Sequence, residues 1–245
     1  NAFYSVWDGF TIQNGVSGAG GGAYLCSNSR LYNCRFINNT ANGFGGAVRI
    51  ISAKYDNAIN KIEDCYFENN IGSMGGAVFD MTGCQLINNK FIDNTATTKG
   101  GALYIYTNKT PEIVNCIFAQ NRAIEGGAIF NRGIISMVNC DIINNNAEEN
   151  AGGLLNEKQY NNIFNSVFWN NSIGNQANQI VGTSNFVNCA IEGSFEGINI
   201  IELGSLNDGN DNKFYPMFVD PDNNNFDLME NSPLINNGDK SLNNI

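Results

Sequence analysis

Apolar and polar positions recur along this chain at an interval much longer than a helical turn or a strand alternation. A block written apolar-x-Asn-Cys-x-Phe-x-x-Asn appears as Leu31-Tyr32-Asn33-Cys34-Arg35-Phe36-Ile37-Asn38-Asn39 and returns throughout. Its leading apolar position reads Trp7, Leu31, Ile62, Leu86, Ile113, Met137, Ile163 and Phe186, in steps of 24, 31, 24, 27, 24, 26 and 23 residues. Gly-Gly-Ala falls between these blocks at Gly21, Gly45, Gly75, Gly100 and Gly126, with Gly152-Gly153-Leu154 as a sixth copy. A fixed period of this length signals a solenoid.

The columns predict the local structure. Cys and Phe two residues apart share one face of a strand, and the residue between them points away. The core column is Cys34, Cys65, Cys116, Cys140 and Cys189, followed by Phe36, Phe67, Phe91, Phe118 and Phe168. The apolar residue three before the Cys breaks the period of two, so a bend lies between them. Asn33, Asn88, Asn115, Asn139, Asn165 and Asn188 mark that bend, because Asn tolerates the left-handed conformation; Gly9 does so at less cost. Gly-Gly supplies another. The expected unit is a coil of about 25 residues with three short strands and three bends, stacked eight times as a single-stranded parallel β-helix. At about 4.8 Å per coil the rod is roughly 35–40 Å long. Two Asn ladders, that bend set and Asn39, Asn70, Asn94, Asn121, Asn145 and Asn171, are expected to bond amide to amide along it. The register after Gly-Gly-Ala stays open: Val48, Val78, Leu103 and Ile129 suggest one inward set, Phe79 and Phe130 the other.

The longest step holds an insertion, Ser52 to Asn60, read as a loop leaving the stack. After Phe186 the pattern fades. The expected organisation is a β-helix over 1–200 and a C-terminal cap segment over 201–245, covering an otherwise bare sheet edge.

Composition then narrows the function. The 245 residues include 45 Asn and 27 Gly, which bends and ladders absorb. The net charge of -10 argues against a nucleic-acid partner, which needs a clustered cationic footprint. With no His, His-based acid–base and nucleophile chemistry is unavailable. No apolar run reaches the length of a membrane span. The start lacks a signal-peptide pattern and opens mid-repeat, so a mature or trimmed product is expected.

Gly-Gly-Ala-(Val/Leu/Ile) alternating with Phe-x-x-Asn resembles the repeats of chlamydial polymorphic outer-membrane proteins and related autotransporter passengers. The opening Asp8-Gly9-Phe10-Thr11-Ile12-Gln13-Asn14-Gly15 and the ending from Pro216 to Asp239 are similar to secreted bacterial β-helix proteins. The resemblance implies a right-handed β-helix and an extracellular or cell-surface location, with further protein or an anchor following Ile245. Its motifs are coil-building positions and carry no activity.

Candidate chemistry is thin. Of the seven cysteines, the five in the core column read as small buried hydrophobes, and Cys26 and Cys84 lie outside that column. Parallel Cβ vectors suit bridges poorly, and the odd total leaves at least one thiol unpaired. A polysaccharide-cleaving β-helix needs carboxylates repeating on one outer face, yet the position beside the Cys column holds one, Asp141. Asp220, Asp222 and Asn224 have the alternate oxygens of a Ca²⁺ loop but also fit a turn; Asp208 to Asp211 is weaker. Tyr55, Tyr66, Tyr104, Tyr106 and Trp169 are candidate stacking faces for a glycan or a surface protein. The reading is a surface or secreted rod without catalytic activity, binding a ligand or joining a larger surface assembly. The alternative is a polysaccharide lyase or glycoside hydrolase.

Overall fold

The structure, a computed structural model, describes residues 5–26, 28–51, 59–193, 195–203 and 215–235. It is a parallel β-solenoid. Each of the first six coils carries four short strands, not three. Coil 4 is representative, with Gln85–Ile87, Lys90–Ile92, Thr95–Lys99 and Leu103–Ile105. Like strands stack into four sheets, numbered here in the order the chain meets them, of 8, 9, 8 and 7 strands. Seven coils contribute to all four sheets. The eighth stops after two strands, Ser184–Val187 and Ala190–Glu192. The strand missed from the sequence is the third. Its residues, such as Thr95-Ala96-Thr97-Thr98-Lys99, bury a single small side chain, Ala96, among polar ones and so show no run of apolar positions.

Register within the stack follows the repeat. Leu31 pairs with Ile62, Ile62 with Leu86 and Leu86 with Ile113 in the first sheet. Phe36, Phe67, Phe91 and Phe118 pair in the second. Their rings stack inside the rod at 5.1, 4.8 and 4.7 Å, within 7° of parallel. The bends fall at residues with positive φ: Gly9, Asn33, Asp64, Asn88, Asn115, Asn139, Asn165 and Asn188.

The Gly-Gly turn settles the open register and moves two copies by one residue. Ala23 pairs with Val48, and Leu154 pairs with Ile129. The repeating triplet is therefore Gly20-Gly21-Gly22 in the first copy and Ala151-Gly152-Gly153 in the sixth. The first member has positive φ in every copy, including φ 53 at Ala151. The second member needs Gly for closeness: a Cβ on Gly101 would lie 2.0 Å from the Gly127 carbonyl oxygen of the next coil. Val48, Val78, Leu103 and Ile129 point into the main core. Phe79, Tyr104 and Phe130 form a second, outer stack with ring separations of 5.1 and 5.2 Å.

The C-terminal segment packs on the side of the rod. Ile201–Leu203 adds a ninth strand to the second sheet. The antiparallel hairpin Phe218–Asp220 and Asn225–Leu228 then lies over that sheet's outward residues. Phe218 and Phe226 pack with Ile92, Ala119, Ile143 and Trp169. These outward positions are apolar because the hairpin covers them.

Candidate binding groove on one corner

The second Asn set forms a continuous buried chain. Asn39 Nδ2 donates to Asn70 Oδ1, Asn70 to Asn94, Asn94 to Asn121, Asn121 to Asn145 and Asn145 to Asn171, at 2.8–3.1 Å. Each Nδ2 also donates to a backbone carbonyl, as Asn121 does to Phe91. Each Oδ1 accepts the backbone N–H at the same bend of the coil before, Asn39 from Gly15 and Asn121 from Asn94. One amide thereby satisfies a bend that burial would otherwise leave unpaired. The chain ends through Gln179, whose Nε2 donates to the buried Glu192 carboxylate at 2.7 Å.

The bend set lies outside, and its amides donate in the opposite direction, toward earlier coils. Asn165 Nδ2 donates to Asn139, Asn139 to Asn115, Asn115 to Asn88, Asn88 to Asp64 and Asn33 to Asp8. Asn188 accepts from Asn199. All seven cysteines are buried and unbridged. Cys34, Cys65, Cys116, Cys140 and Cys189 face inward beside Phe36, Phe67, Phe91, Phe118 and Phe168. Asn89 and Ser166 replace Cys because the position accepts a backbone N–H from the coil before: Cys65 Sγ from Cys34, Asn89 from Cys65, Ser166 from Cys140.

Asp220 sits at the start of a short 3₁₀ turn, Pro221–Asn223, and its carboxylate accepts Asn223 Nδ2 at 2.9 Å. Asn224 closes the turn at φ 61, with its N–H donating to the Pro221 carbonyl. The geometry of Asp220 and Asn224 is that of a turn; the side chain of Asp222 is not described. Among the described residues, no three His, Cys, Asp or Glu side chains come together as a metal site. Asp208 to Asp211, Tyr55 and most of the insertion (52–58) lie outside the described residues. Asn60 is inside, buried, and its Oδ1 accepts the Ser29 N–H. Tyr104 is buried in the outer stack and Trp169 under the hairpin, against Phe218. Tyr66 is half-buried, with the Arg35 guanidinium 5.3 Å from its ring. Tyr106 is exposed.

Tyr106 stands at the corner between the fourth sheet and the first. The corner takes four residues in coils 3, 5 and 6 (81–84, 132–135 and 157–160) but six in coil 4 (106–111). Its first residue keeps register along the rod. The N–H of Tyr106 donates to the Asp80 carbonyl, that of Arg132 to Ile105 and that of Glu157 to Asn131. Met81, Tyr106, Arg132 and Glu157 consequently form a row. The Arg132 guanidinium lies 5.2 Å from the Tyr106 ring centre, and Arg132 Nε pairs with Glu157 at 2.6 Å. The Tyr104 hydroxyl, then Glu157, hold Arg132 above its ordinary pKa, so it stays cationic.

Beside this row lies a groove of about 290 Å³, lined by Met81, Tyr106, Thr107, Asn108, Arg132 and Lys158. The longer corner of coil 4 supplies three of its lining residues, Tyr106, Thr107 and Asn108, and lays the Lys109 stem over Gly83 of coil 3. The frame beneath is rigid. The buried Asp80 carboxylate accepts the N–H groups of Thr82, Gly83 and Cys84 and the Thr82 hydroxyl. Among the described residues, Lys109 and Lys158 make no ion pair, whereas Arg132 does. Two of the 13 cations of a chain with net charge -10, Arg132 and Lys158, thus line one groove. Only Tyr106 was legible in advance. The 27-residue step from Leu86 to Ile113 and the recurrence of a cation after the fourth strand were the signals for the rest.

Comparison with known proteins bears on the coils rather than on the groove. Residues 33–50 and 90–106 match the Chlamydia polymorphic membrane protein repeat. The chain is 31% identical over 149 residues to the metabotropic glutamate receptor-like protein R of Dictyostelium discoideum, covering 58% of this chain and 9% of that protein. It is 33% identical over 133 residues to the probable outer membrane protein pmp15 of Chlamydia pneumoniae, covering 44% and 13%. The chain thus spans about a tenth of the length of these curated relatives. No solved structure is significantly similar. The two matched stretches run from the Asn33 bend through Gly45-Gly46-Ala47 and from Lys90 to Tyr106, so the segments similar to the polymorphic membrane protein repeat form strands and bends in two coils of a parallel β-solenoid.

Proposed function

We propose that this chain is an exported, cell-surface rod that presents its flanks for binding or assembly and has no catalytic activity of its own. The observation that carries this reading is the match of two coils to a repeat found in an outer membrane protein family. The interior supports it: the Asn, Cys and Phe columns are occupied with one another, coil after coil, in building the stack. Ligand contact then falls to corners and outward faces, where residues vary without disturbing the ladder.

Two measurements test it. Antibodies raised against the folded chain should label intact, unpermeabilised producing cells, and external protease should remove the signal. Labelling that appears only after permeabilisation sinks the reading. Incubation with uronic-acid and neutral polysaccharides should release neither unsaturated products nor new reducing ends; turnover of any of them makes the chain an enzyme.

A further inference from the structure

We propose that the corner groove between coils 3 and 6 is a subsite for a carboxylated sugar. The inference rests on the surface-rod reading only for where such sugars are met.

Charge comes first. Arg132 is balanced by Glu157 at 2.6 Å and fixed against the Tyr106 ring, so it offers oriented N–H groups rather than net charge. Among the described residues Lys158 is the cation on the wall that makes no ion pair. A ligand here is favoured by one negative group, not by the run of phosphates that a nucleic acid presents. A neutral sugar leaves Lys158 without a partner.

The remaining lining suits a sugar ring. Thr107 and Asn108 supply a hydroxyl and an amide, which can donate to and accept from ring hydroxyls. Met81 and the exposed Tyr106 supply an apolar wall for C–H faces. The volume of about 290 Å³ lies at the small end of ligand pockets, roughly 300–1,000 Å³, which suits a short saccharide. The backbone beneath is held by Asp80 in coil 3, and in coil 5 by Asn131, whose Oδ1 accepts the Gly133 N–H at 2.8 Å. The wall is therefore formed before any ligand arrives, and little ordering cost remains.

The test is titration calorimetry on the full chain with four probes: 3′-sialyllactose, a galacturonate trisaccharide, lactose and the methyl-esterified trisaccharide. At least one carboxylated probe should bind, and its neutral counterpart should bind at least tenfold more weakly. Lys158→Gln should weaken the acidic probe about tenfold with an unchanged melting curve. Arg122→Gln, on the third sheet, should leave binding unchanged. Preference for sialyllactose points to terminal sugars of a host surface, and preference for galacturonate to an acidic polymer. The proposal is overturned if neither acid binds, if the neutral counterparts bind as well, if Lys158→Gln changes nothing, or if inorganic sulfate at equal ionic strength displaces the sugar equally. Because the assay uses the isolated chain, a failure of surface labelling and a failure of sugar binding are separate results.

Discussion

The side-chain amide of Asn171 donates to Gln179 Oε1 at 2.7 Å, and there the buried run of asparagines that began at Asn39 changes residue type. Gln179 then donates to Glu192, which also accepts the Asn170 N–H at 2.7 Å. Every amide in the run donates toward the C-terminal end, so a carboxylate acceptor is the natural terminus. The outer asparagines donate the other way.

Truncating one rung breaks several bonds at once. Asn121→Ala leaves the Asn94 N–H, the Asn94 amide and the Phe91 carbonyl without their partner in a dry interior. Each orphaned group costs about 1–3 kcal/mol, so a loss of roughly 3–5 kcal/mol is expected by urea unfolding. Asn88→Gly, in the exposed outer row, keeps the φ 54 bend and removes only exposed amide bonds, so it should cost under about 1 kcal/mol. Equal losses would remove the distinction between the two rows.

The Gly-Gly turn offers two substitutions of very different cost. Ala151 holds the left-handed conformation that Gly occupies in the other copies, but its methyl is buried in the outer apolar cluster. In Ala151→Gly the relief of about 1 kcal/mol of strain is therefore offset by the lost methyl, and stability should change by under about 1 kcal/mol. Gly101→Ala drives a methyl into the backbone of the next coil and should cost about 4 kcal/mol or more. Thermal melts of the two variants check both.

The hairpin docks over Asp141. Burial, and then the Asp227 carboxylate, push Asp141 up to about 7. A carboxyl with a folded pKa above its unfolded value of about 3.9 binds more protons when folded. Its contribution is therefore most favourable below about pH 4 and falls as pH rises toward 7. Asp141→Asn should flatten this slope and hold the hairpin at neutral pH. Trp169 fluorescence, which reports the Phe218 contact, measures it.

The thiols should be inert in the folded chain. Burial pushes Cys65 up to about 12 and Cys189 to about 11, and all seven cysteines are buried. Iodoacetamide at pH 8 should modify none of the seven before denaturation and all seven after it, counted by mass spectrometry. Fast labelling of the native chain would mean the coils open.

The columns of Leu31, Phe36 and Asn33 were readable because each side chain meets its own kind one coil away, and like-on-like stacking writes its period into the sequence. That determined the parallel stack, the inward faces, the bends and the coil spacing. The third strand was not readable, because in coils 2, 4, 5 and 6 it buries one small residue, Ala41, Ala96, Ala123 or Ala147, between side chains that reach solvent, and a lone Ala writes no clear apolar pattern. The exact Gly triplet was hidden too, since Gly20 and Ala151 differ in type yet share one backbone conformation. Only the tertiary structure decided what covers the second sheet, and why Ile143 and Trp169 face outward. It alone brought Tyr106, Arg132 and Lys158, drawn from three successive coils, to one groove. Such a meeting depends on the lengths of separate corners and on lateral distance. A one-dimensional pattern records what repeats along the rod, not what gathers on its side.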